Sequence, residues 1–341
     1  MRGAHVRLVG LAVASAVVVS ACGARTPLLV DMGCEGPTLP FETQTPALYF
    51  VLDHSLSMKQ GDKWGQVRTV VASVMAKVGD RARFGVTIFP GADGVCGAGA
   101  EAMPLARGDN GGAAGPTVTK FLSVTSADPS GGTPTAATLQ ALSQRLVAEP
   151  NAVVVLATDG GPNCNDALAC DEKTCVLNIE GLNGCVPNQA PNCCASSARN
   201  CLDDTRAEDA VSALRAIGVP TYVVGIPGSE VYGPVLDAMA TRGGTARPGT
   251  PRYYAVASDQ ALAAALGEIA DQVVKGCVLT LTKTPKMPDR AKVFVKGAER
   301  TRGAEWTLVG TRLELLGQTC ADFDGDKTRV QVADGCIPTP R

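Results

Sequence analysis

The chain has 341 residues, 45% of them hydrophobic, 4% aromatic and 19% charged, with a formal net charge of −2. That length is enough for one large folded domain and a smaller one, each burying its own core. A charge this close to zero, with no basic stretch carrying interleaved aromatics, speaks against a nucleic-acid-binding surface.

At the N-terminus, Arg2 and Arg7 precede an apolar run from Leu8 to Val19, the pattern of a secretion signal. About a dozen residues fall short of the roughly 20 that span a bilayer as a helix, so no lasting transmembrane anchor is expected. Val19-Ser20-Ala21-Cys22 resembles a bacterial lipoprotein box. That resemblance implies removal of residues 1–21 and acylation of Cys22, whose chains anchor a soluble protein to a membrane at about 0.8 kcal/mol per buried methylene. An ordinary signal with an incidental cysteine is the alternative. Gly23 is not the aspartate associated with inner-membrane retention, which makes the outer membrane the default location and leaves the face open.

Residues 22–46 carry Pro27, Pro37, Pro40 and Pro46 with little apolar periodicity and read as an extended tether. ALYFVLD, from Ala47 to Asp53, is a continuous apolar run ending in an acid, suited to a strand buried on both faces. Val67, Val70, Val71, Val74, Met75 and Val78 then recur at spacings of three and four, a helix that stops at Gly79. FGVTIF (84–89) is the next strand and EAMPLA a candidate edge strand, followed by a poorly periodic region to about residue 128. Pro134 opens a helix bearing Leu139, Leu142 and Leu146. AVVVLATDG (152–160) is a further buried strand, and after a cysteine-rich interruption a helix near 205–217 leads into the strand TYVVGI. YYAV and a last helix lined by Leu262, Ala265, Leu266, Ile269, Ala270 and Val273 complete the series. This alternation predicts an open, mainly parallel α/β sheet with helices on both faces over residues 47–275. From 276 to 341 the alternating runs VLTLT, KVFVK, RLELL and RVQV predict a small β-rich module.

There are 13 cysteines. With Cys22 set aside as the acylated residue, Cys34, Cys96, Cys164, Cys170, Cys175, Cys185, Cys193, Cys194, Cys201, Cys277, Cys320 and Cys336 remain, an even set in an exported chain and therefore candidates for disulfides. Structural zinc is the competing reading, but C-x-x-C spacing is missing and His54 is the single histidine after signal removal. Seven of these cysteines fall between Cys164 and Cys201, so if all are oxidised at least one pairs outside that stretch, and Cys96, at the end of a neighbouring strand, is the candidate. Adjacent Cys193 and Cys194 are expected to reach different partners. Cys277, Cys320 and Cys336 are expected to staple the C-terminal module, with the odd one reaching Cys34 or the main domain. In that module, Asp322-Phe323-Asp324-Gly325-Asp326 fails as a calcium loop, because Lys327 and Ala333 stand where an EF-hand needs glycine and glutamate.

Three short motifs carry chemistry. Asp53-x-Ser55-x-Ser57 leaves the first strand, Gly131-Gly132-Thr133 precedes a helix, and Thr158-Asp159-Gly160 ends a later strand. Each alone also reads as a helix cap or an ordinary turn. Together Asp53, Ser55, Ser57, Thr133 and Asp159 offer five oxygens at the carboxyl edge of one sheet, where open α/β folds bind ligands. An all-oxygen, hydroxyl-rich set suits one hard divalent cation, Mg2+ first and Mn2+ or Ca2+ next.

On these residues the segment 47–275 resembles the von Willebrand A domain, and the five oxygens resemble its metal-ion-dependent adhesion site. The resemblance implies that Ser55, Ser57 and Thr133 contribute hydroxyls, that Asp53 and Asp159 act directly or through water, and that a carboxylate of a protein partner completes the shell. Leu56 stands where many members have glycine, and the insertion 162–204 is uncommon. FPG with Cys96, ATDGGPNC and the cysteine-rich insertion further resemble lipoproteins of this family from myxobacteria-like organisms. The implied function is metal-dependent binding or adhesion by a lipid-anchored envelope protein. The alternative is metal-independent glycan or matrix binding by the insertion or the C-terminal module, beside a vestigial metal site. No enzyme is expected, because a Ser-His-Asp arrangement would have to use His54 with serines already committed as ligands, and no nucleophile elbow, phosphate loop or dinucleotide fingerprint is present.

Overall fold

ALYFVLD forms the central strand β1 (Ala47–Asp53), buried along its whole length. Its side chains alternate between two cores, Leu48, Phe50 and Leu52 facing one and Tyr49 and Val51 the other. This computed structural model describes residues 38–41, 45–92, 95–149, 151–170, 197–274, 277–323 and 327–334. Residues 1–21, read above as a secretion signal, and Cys22, Cys34, Cys175, Cys185, Cys193, Cys194 and Cys336 lie outside them.

Parallel to β1 run β2 (Arg83–Phe89), β4 (Ala152–Thr158), β5 (Thr221–Gly225) and β6 (Tyr254–Ala255), while β3 (Ala100–Arg107) pairs antiparallel with β2. The sheet order is β3-β2-β1-β4-β5-β6. Only an edge strand tolerates the missing N–H of Pro104, which accounts for the position of β3. Helices α1 (Lys63–Val78), α2 (Pro116–Val124) and α6 (Asp259–Val274) cover one face, and α3 (Thr135–Leu146), α4 (Asp204–Ala216) and α5 (Gly233–Arg242) the other. The expected α/β sheet, covered on both sides, therefore forms. Two of its helices are not among the expected elements: α2 lies inside the stretch read as poorly periodic, and α5 follows β5.

The C-terminal module holds two antiparallel three-stranded sheets. One is ordered β10 (Trp306–Val309), β11 (Arg312–Leu315), β7 (Val278–Thr280), and the other β12 (Val330–Ala333), β8 (Lys292–Val295), β9 (Ala298–Arg300). Trp306, Leu279, Leu313, Val293 and Val332 form its core, and a disulfide joins Cys277 to Cys320 on the short helix α7 (Gly317–Ala321). The tether departs from its expected form at its end. Leu39 is buried in this core, its N–H donates to Val332 O, and Pro40 O accepts from Thr282 N. Residues 38–41 thus add to the β module, because a leucine with paired backbone groups gains more from that core than from water.

Candidate metal centre

Asp53 is the last residue of β1 and Thr158 the last of its neighbour β4, so register alone brings Asp53 and Asp159 to the same edge of the sheet. Asp53 Oδ1 accepts from Ser55 N at 2.8 Å, which turns the chain back over the strand end, and Asp53 Oδ2 accepts from Thr158 Oγ1. Ser55 Oγ and Ser57 Oγ lie 3.0 Å apart, and Ser57 Oγ donates to Asp159 Oδ1 at 2.8 Å. Met58, buried in the core beside α1, holds the end of this loop down.

Thr133 arrives on a separate loop that is laced to the first. Leu56 N donates to Gly131 O, and Ser130 N to His54 O. Gly131 has φ +82°, and a Cβ there would lie 2.7 Å from Pro90 Cγ and 2.8 Å from Val95 O, so glycine is required on both counts. Gly132 N donates to Val95 O, next to Cys96. Beyond Asp159, Asn163 Oδ1 accepts from Thr133 N at 2.8 Å while Asn163 N donates to Thr133 O at 2.9 Å. Asp53, Ser55, Ser57, Thr133 and Asp159 are all 0% exposed.

Three further side chains belong to this cluster. Thr158 and Asn163 hold Asp53 and Thr133, and Lys63, the first residue of α1, places Nζ 2.7 Å from Asp159 Oδ2. Lys63 escapes a reading by residue type, since a lysine at a helix start passes for a solvated charge. Its one signal is position, six residues after Ser57 where the loop enters α1.

The electrostatics follow from burial. Two carboxylates removed from water face one ammonium, and a buried unbalanced charge is costly. Burial, and then the neighbouring charge of Asp159, raise the Asp53 pKa to about 7. Burial also raises that of Asp159, against the opposing pull of Lys63. Among the described residues no group of three or more His, Cys, Asp or Glu side chains converges on a metal position. The donors here are instead hydroxyls and two carboxylates, a set that fits a hard divalent cation and disfavours zinc or copper.

No protein-family model and no curated protein sequence matches the chain. Solved structures it is similar to include von Willebrand A domains. One is the von Willebrand domain of the type V pili tip protein Mfa5 from Porphyromonas gingivalis, at 13% identity and TM-score 0.44, covering 70% of this chain and 97% of that one. Another is a von Willebrand factor type A protein from Catenulispora acidiphila, at 14% identity and TM-score 0.44, covering 85% of this chain and 57% of that one. A third is the pilus adhesin SpaC from Lactobacillus rhamnosus GG, at 17% identity and TM-score 0.47, covering 86% of this chain. This chain spans 39% of the length of SpaC. The order β3-β2-β1-β4-β5-β6, with β3 antiparallel at the edge, is a von Willebrand A-like arrangement.

In this von Willebrand A-like frame the insertion is rooted at the cluster. Among the described residues Cys96 is bonded to Cys164 and Cys170 to Cys201, so the bridge expected from the insertion to Cys96 forms. Asn165 Nδ2 donates to Asp203 Oδ1 at 2.7 Å, and Arg199 pairs with Asp166. Residues 171–196 lie outside the described residues. His54, the histidine considered for catalysis, packs its ring on Trp64 at 4.6 Å and hydrogen-bonds Ala127 O, while the hydroxyls of Ser55 and Ser57 bond each other and Asp159.

Proposed function

We propose that this chain is a divalent-cation-dependent binding module, an adhesin-type domain held on the cell envelope by an acylated Cys22 and engaging an acidic group of a protein partner. The observation that carries the reading is the convergence of Asp53, Ser55, Ser57 and Asp159 into one fully buried, hydrogen-bonded cluster, with the Thr133 loop laced beside it. Ser55, Ser57 and Thr133 would hold the ion through hydroxyls, with Asp53 and Asp159 supplying the compensating charge. Bound Mg2+, with Mn2+ or Ca2+ as substitutes, supplies a Lewis-acidic position that accepts a carboxylate from outside. The residues of the chain do the rest. Asp53 orients the Ser55 turn, and Asn163 fixes the Thr133 loop.

The deciding experiment is partner capture from native envelope by the full chain with Mg2+, with EDTA, and by Asp53→Ala in Mg2+. Capture lost in EDTA and in the variant supports this reading. Capture unchanged in all three conditions transfers the function to the insertion or the C-terminal module.

A further inference from the structure

Lys63 is in an odd place for a cation. It is the first residue of the 16-residue helix α1, and the positive end of a helix dipole disfavours an ammonium there. Its side chain nevertheless turns inward, only 14% exposed, and lays Nζ on Asp159 Oδ2 at 2.7 Å. The other oxygen of that carboxylate takes the hydroxyl of Ser57. Asp159 is therefore fully engaged, by a hydroxyl on one side and a positive charge on the other. The ammonium sits on a carboxylate where a divalent ion would act, and it is a compact charge on a flexible stem that can leave without moving the backbone.

We propose that Lys63 is a resident counter-cation exchanged for the divalent ion, an exchange that presupposes the metal site proposed above. Without metal, Lys63 neutralises Asp159 and keeps the empty loops assembled. Entry of the ion brings a second cation up to the Asp159 carboxylate that Lys63 already neutralises, and the ammonium is expelled to the rim. Ion and ammonium are then mutually exclusive occupants, so each weakens the other by the same factor. Lys63 thereby sets the cation concentration at which the module switches on.

The test is Mn2+ calorimetry on the full chain, comparing wild type with Lys63→Met, which keeps the stem and removes the charge. The expected result is roughly tenfold tighter binding by the variant, a coupling of ordinary size between two linked ligands. Amine acylation of wild type, read by peptide mass spectrometry, gives a second readout that does not depend on how the variant folds. Lys63 should be protected in EDTA and labelled in saturating Mn2+. Equal or weaker binding by Lys63→Met overturns the exchange, as does a Lys63 that stays protected in saturating Mn2+. Absence of Mn2+ binding by both wild type and variant sinks the metal site itself and the exchange with it. Binding by Lys63→Met alone supports the exchange in its strongest form.

Discussion

Thr133 and Asn163 hold each other by two reciprocal hydrogen bonds, Thr133 N to Asn163 Oδ1 and Asn163 N to Thr133 O, across the sheet edge where the candidate ligands meet. Only one of the two uses a side chain. Asn163→Ala therefore removes the side-chain acceptor of the buried Thr133 N–H, at a cost of about 1–3 kcal/mol. Chemical denaturation should show that loss, and Mn2+ titration should show weaker binding, because the loop carrying Thr133 is no longer fixed. A variant as stable and as tight as wild type would remove Asn163 from the site.

The bond between Cys96 and Cys164 lies one residue from each half of that loop's support, Val95 O on one side and Asn163 on the other. Replacing both cysteines by serine should lower stability by about 2–4 kcal/mol and weaken Mn2+ binding. The equivalent change at Cys277 and Cys320, a disulfide in the core of the β module, should cost stability there and leave ion affinity unaltered. Equal effects of the two double variants on ion affinity would contradict a local role for the first bridge.

Glu305 predicts a pH dependence confined to the β module. Its carboxylate accepts from Thr301 N, Thr319 Oγ1 and Arg300 Nη1, and these bonds, the backbone one first, lower its pKa from 4.5 to about 2. A depressed carboxyl stabilises the fold fully above its ordinary value and loses that contribution as pH falls through the folded one. Stability should therefore decline between pH 4.5 and about 2, and Glu305→Gln should flatten the decline. Trp306, the next residue and fully buried, reports it by fluorescence in a Trp64→Phe background.

Cys22→Ser should abolish incorporation of labelled palmitate and shift the protein from the membrane fraction to the soluble one, as fractionation would show. Unchanged partition would leave the cysteine incidental.

Which parts of the fold were legible follows from how strongly each segment is constrained. ALYFVLD and AVVVLAT are buried on both faces, so burial is written as an unbroken apolar run. Helix α2 has only Val118 and Phe121 buried among nine residues, too few for a period to stand out. Leu39, between Thr38 and Pro40, carries no pattern because its partner strand β12 lies nearly three hundred residues away. The site divides in the same way. Asp53, Ser55 and Ser57 announce themselves by spacing, whereas Lys63 and Asn163 are visible only once the loops have folded back, since nothing in a lysine or an asparagine tells which carboxylate or amide it will meet.

The stitching of residues 38–41 into the β module also has a mechanical side. Tension on the chain ahead of Thr38 is delivered first to the pairing of Leu39 with Val332 and of Pro40 with Thr282. It reaches β1, whose end carries Asp53, only after that pairing shears. The small module thus stands, along the chain, between any load applied ahead of Thr38 and the strand whose far end carries Asp53.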